Sequence, residues 1–312
     1  MTTTLNELVD MDSTKKLTVE EKLAQASKRR GTAAQPAAVK KSAPARLPLW
    51  PDAVCAIPNG FLRSALFGAI RKGQKNRRYI NEELLASIDG IEVRYKGEQL
   101  DQSDLSTWAT ILHAVRLQEL GTQCRITAYA LLKMMGKTDT GKNRQTLHSR
   151  IMRLRANAVE IKQGKHTYIG GFIACAAKDE NTQEWVIEID PKIKSLFEPD
   201  QFTQIDWIIR HSLDGQQLAQ WLHGFYASHA NPFSYKIETI HKLCGSESEA
   251  ISDFKKDVKR NLRAVADAFD LYDMSFRYQI VGDLVHVEKM AQGAQRRHLA
   301  KQAAITTRKP RA

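Results

Sequence analysis

Cysteine is scarce: Cys55, Cys124, Cys175 and Cys244 are the only four in 312 residues, and they stand dozens of residues apart. That spacing gives no C-x-x-C pair for a zinc ion, and the chain is too long for a small disulfide-stapled module. All four read as buried thiols in a reducing compartment. No uncharged run approaches the roughly 18 residues a membrane span needs, and the N-terminus opens on polar residues with no apolar core of signal-peptide length. The cytoplasm is the expected location. The nine histidines form neither H-E-x-x-H nor an H-x-H pair, which excludes the common zinc-protease and strand-nicking signatures. His211, His223, His229 and His241 read as structural. A G-x-x-x-x-G-K match, Gly136 to Lys142, fails as a phosphate loop: Asn143 replaces the Mg²⁺-binding hydroxyl, and the residues before it read as helix where a strand is required. No enzymatic activity, metal or cofactor is therefore expected.

Basic charge is what the sequence has in excess. The net charge is +12 with a pI near 9.5, the footprint of a protein that meets phosphate. Residues 1–45 and 291–312 together hold +9 of it, so residues 46–290 carry only +3. Within that body, residues 63–78 (Arg63, Arg71, Lys72, Lys75, Arg77 and Arg78) carry +6 and residues 133–165 carry +7, leaving −10 for the remainder. The folded part should therefore present a basic face on an otherwise acidic protein.

At 42% hydrophobic and 26% charged residues the chain can bury an ordinary core, and its length suits two domains. The expected division is a disordered basic arm over 1–45 with a weak helix over 17–30, a domain over 46–198, a second over 199–290, and a disordered basic tail over 291–312. Apolar periodicity predicts helices over 59–71 (capped by Asn59), from Ser103 (its own cap), after Thr127, and over 144–157, with a strand at 91–95, a short strand at 125–127 and strands over 168–174 and 184–189. The order then recurs: a helix over 215–228, a short segment at Tyr235 and Ile237, helices over 239–244 and 248–269, and two strands around the turn Val281, Gly282, Asp283. No residue-level repeat accompanies it. Helix, strand, helix, turn, helix and two-stranded ribbon is the order of a winged helix-turn-helix. The predicted fold class is α+β, two tandem winged-helix domains.

A helical wheel of 144–157 puts Leu147, Ile151 and Leu154 on one stripe and Gln145, Thr146, Ser149 and Arg153 opposite, with Lys142 at the entrance, Arg144, His148 and Arg155 on one flank and Arg150 on the other. No acid occurs between Thr140 and Val159. Base-reading residue types at the centre with phosphate-binding types at the margin suit a major-groove helix. The helix over 248–269 offers Lys256, Lys259, Arg260 and Arg263 to phosphate, mixed with Asp253 and Asp267.

Certain stretches resemble a known family. Leu49, Trp50, Pro51, Asp52 and Ala53, then Ala56, Ile57, Pro58 and Asn59, then Arg63, Ser64, Ala65, Leu66 and Phe67 are similar to the opening of the TrfA-type replication initiators of plasmids, and Leu243, Cys244, Gly245 and Ser246 before the last long helix add to the match. The resemblance covers about residues 47–288. It implies tandem winged-helix domains that bind repeated double-stranded sites (iterons) at a plasmid origin, help open it, and recruit the host replication initiator, the replicative helicase and a sliding clamp, with a monomer–dimer equilibrium and no nucleotide hydrolysis. The family's clamp contact uses a Q-L-x-L-F-like peptide; here Leu47, Leu49 and Trp50 keep the leucine and aromatic spacing but the Gln is missing and no spacer separates them from Pro51. Two other readings stand beside the initiator: a dimeric transcriptional regulator or partition protein on a palindromic operator, and a nicking or ATP-using replication enzyme.

Overall fold

The computed structural model describes residues 45–70, 77–291, 293, 295–297 and 299–300. The predicted arm up to residue 44 with its helix over 17–30, the basic residues Arg71, Lys72 and Lys75, and residues 301–312 lie outside the described residues.

Val54–Pro58 (β1) runs into Asn59–Leu62 (α1) and then Phe67–Gly68 (β2). The helix expected over 59–71 therefore stops after one turn. Arg63 leaves it to donate from Nε to Ser228 Oγ at 2.8 Å, and the Ala69 amide bonds the Cys244 carbonyl, so tertiary bonds override the apolar stripe. Tyr79–Leu85 (β3) and Ile91–Glu98 (β4) follow as an antiparallel pair, with Ile91, Val93 and Tyr95 buried as alternation predicts. Leu100–Asp101 (β5) leads into Gln102–Val115 (α2), whose cap is Asp101 and not Ser103. The Asp101 carboxylate accepts from the Ser103 and Asp104 amides while Asp104 accepts from the Asp101 amide, a reciprocal capping box that outcompetes a single hydroxyl.

Cys124–Thr127 (β6), Ala128–Met134 (α3) and Gly141–Arg155 (α4) come next, α3 capped by Thr127 and α4 by Thr140. Ala158–Gln163 (β7) was not foreseen. It buries Val159, Ile161 and Gln163 in alternation, pairs with β4, and turns at Gly164 (φ +60°) into His166–Gly170 (β8). The strand expected over 168–174 is thus divided: its start belongs to β8, and the ribbon partner of Glu184–Glu188 (β10) is the later Cys175–Lys178 (β9). After a 3-10 helix at Pro191–Phe197, Phe202–Asp206 (β11) returns to pair with β1.

Trp207–Ser212 (α5), Gln217–Ala227 (α6), Tyr235–Lys236 (β12), Ile237–Leu243 (α7), Ile251–Asp270 (α8), Phe276–Val281 (β13) and Leu284–Lys289 (β14) complete the described α+β fold. The sequence helix, strand, helix, helix, strand, strand occurs twice, at α2, β6, α3, α4, β9, β10 and at α6, β12, α7, α8, β13, β14. In both sets the first strand lies beside the third, in the sheet orders β6-β10-β9 and β12-β14-β13. The first set differs by the inserted β7 and β8, which extend the sheet β3-β4-β7-β8.

Two apolar clusters underlie this arrangement. The first centres on Phe61, Phe67, Trp108 and Phe172, whose rings lie 4.9 to 6.2 Å apart, and it receives Leu147, Ile151 and Leu154 from α4. The second gathers Trp221, Phe225, Phe254, Leu262 and Val285. Truncating one central aromatic ring should cost roughly 3–5 kcal/mol. Between them runs a polar seam. Arg210, fully buried, donates from Nη2 to the Gln102 carbonyl at 2.9 Å and from Nε to Ser106 Oγ at 3.0 Å. Gln217 bonds the Gln102 amide and Ser103 Oγ, and the Trp221 indole bonds the Ser64 carbonyl. Cys55, Cys124 and Cys244 are buried as expected, but Cys175 is exposed, on a strand (β9) that buries none of its four residues.

Candidate nucleic-acid interface

Helix α4 is held from behind and from its start. Leu147, Ile151 and Leu154 pin its inner face, and Thr140 Oγ1 accepts from the Asn143 amide at its N-terminus. Asn143 also donates to the Thr138 carbonyl at 2.8 Å, so the glycine-rich segment after α3 is a capped turn between two helices. The outward side exposes Lys142, Gln145, Thr146, His148, Ser149 and Arg155. Thr146 and Ser149 bond carbonyls one turn back, Lys142 and Gln145 respectively, which fixes their rotamers. His148 rests its ring 5.5 Å from Trp185 on β10, tying α4 to the strand pair β9 and β10. Arg150 is half-buried on the other flank.

Two of the arginines are already engaged. Arg144 makes a two-pronged pair with Asp139, Nε to Oδ1 at 2.6 Å and Nη2 to Oδ2 at 2.7 Å, half-exposed at the helix entrance. Arg153 is not on the outward face at all. Its side chain is 12% exposed and turned toward the start of α2 and the end of β4, where Nη2 meets Asp104 Oδ1 at 3.1 Å and Nη1 meets Glu98 Oε1 at 3.0 Å. Asp104 has no exposed side-chain surface, and Arg77 takes its second oxygen at 3.0 Å while reaching Asp101 at 2.5 Å. Burial pushes the Asp104 carboxyl up to about 6, with Asp101 adding to the rise and Arg153 and Arg77 opposing it. The expectation that Arg153 reads bases is thereby corrected: a buried carboxylate demands a partner more strongly than solvent attracts a guanidinium. A helical wheel cannot see this, because Asp104 lies 49 positions away.

A residue missed on the outward face is Met152, half-exposed between Ser149 and Arg155. An apolar side chain kept in solvent on a polar helix face is suited to a thymine methyl group, and its exposure was legible as a break in the polar pattern.

Helix α8 buries Phe254, Val258, Leu262, Val265 and Phe269, and exposes Lys256, Lys259, Arg260 and Arg263. Lys256 pairs with Asp253 at 2.9 Å, Arg260 with Asp257 at 2.6 Å and Arg263 with Asp267 at 3.9 Å. Its five basic residues face four acids, whereas α4 carries five basic residues and no acid. With Arg144 and Arg153 already paired, α4 still offers Lys142, Arg150 and Arg155 on a helix that carries no carboxylate of its own. The segment expected to serve as a clamp peptide is built into the fold: Leu47 is buried, and Trp50, 5% exposed, donates to His113 Nδ1 at 3.2 Å and stacks on Phe197. Leu49, at 76% exposure, is the member of the trio left in solvent. Among the described residues no helix is long and apolar enough to cross a membrane.

The family described as TrfA protein matches residues 15–289. The plasmid replication initiator protein TrfA of Escherichia coli is 24% identical over 216 residues, covering 67% of this chain and 56% of that protein, so the chain spans a little over half the length of the relative it matches. Among solved structures, a selenomethionine derivative of domains 2 and 3 of RctB is similar at a TM-score of 0.49 and 12% identity, over 76% of this chain and 99% of that one. The Pi initiator protein in complex with iteron DNA is similar at a TM-score of 0.44 and 10% identity, over 60% of this chain and 91% of that one. With the family match running across nearly all of the described fold, the chain belongs to the TrfA protein family.

Proposed function

We propose that the protein is a plasmid replication initiator that binds direct-repeat (iteron) double-stranded DNA at a plasmid origin through two tandem winged-helix units. In this reading α4 and α8 are the recognition helices, and the strand pairs β9–β10 and β13–β14 are the wings. The observation that carries it is the outward face of α4, where Lys142, Gln145, Thr146, Ser149 and Arg155 stand exposed on a helix without a carboxylate. Such a face offers amide and hydroxyl groups to base edges and cations to the flanking phosphates. Helix α8, with its charges largely paired, contributes phosphate contacts through Lys259 and through those of Lys256, Arg260 and Arg263 that exchange an aspartate for a phosphate.

Family membership supports the further steps: opening of DNA beside the repeats, recruitment of the host initiator and helicase, action as a monomer in exchange with a dimer, and a cytoplasmic place of work. The protein acts by binding and not as an enzyme. A sliding-clamp contact would require Leu47 and Trp50 to leave their buried positions, so Leu49 is the residue a clamp can reach first.

The test is a footprint of the purified protein over DNA flanking its own gene, at low and moderate salt. Protection of direct repeats in phase is expected. Protection of a single palindrome would favour the operator-binding regulator, and no protection at either salt would refute DNA recognition.

A further inference from the structure

Asp139 is the one acid in residues 120–159, and it lies against the first arginine of α4. Its carboxylate stands 2.6 and 2.7 Å from two nitrogens of Arg144, one residue ahead of the helix cap Thr140. An arginine that serves phosphate gains nothing from such a neighbour. A neutral pair displaces few counterions, and its acid repels the backbone it approaches. The pair therefore suits a contact in which direction matters more than charge.

Three features give it a direction. The carboxylate is itself held: Asn143 Nδ2 donates to the Thr138 carbonyl at 2.8 Å, and the Asn143 amide donates to Thr140 Oγ1 at 3.2 Å. The residues on both sides of Asp139 are thus tied to the first turn of α4. Next, both bonds fall on one edge of the guanidinium. That planar group can bind in pairs through Nε with Nη2 or through Nη1 with Nη2. Asp139 takes the first edge, which aims the second away from the carboxylate, on a side chain 39% exposed. Last comes position. Helical side chains lean toward the N-terminal end of their helix, so the head of Arg144 lies over the first turn, where Lys142 is exposed. In a helix-turn-helix the first turns of the recognition helix are the part that meets base edges. The hydrogen bond from Arg144 also holds the Asp139 carboxyl below its ordinary value, so the pair stays ionised at neutral pH.

We propose that Arg144 reads a guanine and that Asp139 is the positioning residue that aims it. Nη1 and Nη2 donate to O6 and N7 of one guanine in the major groove, while Asp139 keeps Nε and its share of Nη2. The rotamer freedom that a solvated arginine loses on binding is given up before the DNA arrives. This inference rests on the reading of α4 as a recognition helix.

The experiment is selection from a random duplex library by the full chain as parent, Arg144→Ala, Arg144→Lys, Asp139→Ala and the double alanine variant. The selected site is then titrated with each base in turn at several salt concentrations. The parent should enrich a site with guanine at one position. Both Arg144 variants should lower the preference for that guanine by at least about tenfold, and Asp139→Ala by about threefold, with preferences at other positions kept. Asp139→Ala should also bind non-specific duplex more tightly, because a negative charge has left. In the Arg144→Ala background, removing Asp139 should change discrimination no further. Arg144→Lys keeps the charge and loses the fork, so it decides the matter should the alanine variant lose stability. Unchanged guanine preference in the Arg144 variants, with a logarithmic salt slope reduced by about 0.9, would make Arg144 a phosphate ligand and overturn the proposal. Guanine preference that survives Asp139→Ala, or that Asp139→Ala lowers equally without Arg144, would overturn it as well. A parent that enriches no site refutes the recognition-helix reading and this inference with it, whereas a site enriched equally by parent and Arg144 variants refutes this inference alone.

Discussion

Replacing Arg153 by Ala separates two roles that a helix wheel confuses. A base-reading arginine would cost affinity and discrimination on removal and leave the fold alone. Here the guanidinium bonds Asp104 Oδ1 from Nη2 at 3.1 Å and shares Nε between Oδ1 at 3.3 Å and Oδ2 at 3.2 Å, while Arg77 and the Asp101 amide also serve Oδ2. Removing it leaves half of a carboxylate with no solvent exposure unsatisfied. Breaking a buried pair in this way costs about 3–5 kcal/mol, and the surviving Arg77 contact argues for the lower end, about 3 kcal/mol. At about 2–4 °C per kcal/mol for a fold of this size, the midpoint of thermal unfolding should drop by roughly 6–12 °C. The assay is a melt of parent, Arg153→Ala, Asp104→Asn and the double variant. The double variant should lose less than the sum of the singles by about 1–3 kcal/mol, because the two groups answer each other. At a temperature where the variant is folded, its preference among base sequences should match the parent's. An unchanged midpoint together with relaxed base preference would refute the reasoning and return Arg153 to the DNA.

Other outcomes follow from the same geometry. Gln145→Ala should relax discrimination at one base position by about 1–3 kcal/mol, whereas Lys142→Ala or Arg155→Ala should weaken all sequences alike and reduce the logarithmic salt slope by about 0.9 each, measured by titration at several salt concentrations. Burial holds the imidazoles of His223 and His229 down to about 3 and about 4, with Arg210 and Lys289 assisting at the first and Arg63 at the second. Unfolding therefore takes up protons below pH 6.5, and these two groups contribute stability that is full above 6.5 and lost as pH falls toward 4, by up to about 2.7 kcal/mol per pH unit together. Asp104, raised above its unfolded value, acts with the opposite sign between pH 6 and 4; denaturant titrations of His229→Gln across this range should show a shallower slope than the parent. Cys175 should be alkylated rapidly in the native protein, while Cys55 and Cys244, pushed up to about 12 by burial, should react only on unfolding; peptide mapping of the labelled thiols decides.

Helix α4 was legible because its signals are local: Thr140 before it, and Leu147, Ile151 and Leu154 at helical spacing. The recurring element order was legible for the same reason. What escaped depended on residues far apart in sequence. Arg63 ends α1 because Ser228 lies within reach, and Asp104 claims Arg153 across 49 positions. The β7–β8 insertion escaped because Asn157, which bonds the Arg153 and Leu154 carbonyls where α4 ends, reads equally as a last helical residue, so the alternation of Val159 and Ile161 passes for the tail of the helix. The buried Trp50 shows how one short apolar peptide can read equally as a ligand for another protein and as the edge of its own core; the choice was made by Phe197 and His113.

The polar seam between the two clusters has a metrical consequence. Apolar side chains slide past one another at little cost, but Arg210, Gln217 and the Trp221 indole hold their partners by directional bonds that tolerate only small displacements. Under the proposed function, α4 and α8 joined in this way would keep a fixed separation and a fixed rotational phase, and the protein would work as a ruler on the double helix. Its site would then be specified as much by distance as by bases: adding about five base pairs between the two contacted stretches, half of a 10–10.5 base-pair turn, would carry one stretch to the far side of the duplex, where no side chain of the second helix could follow.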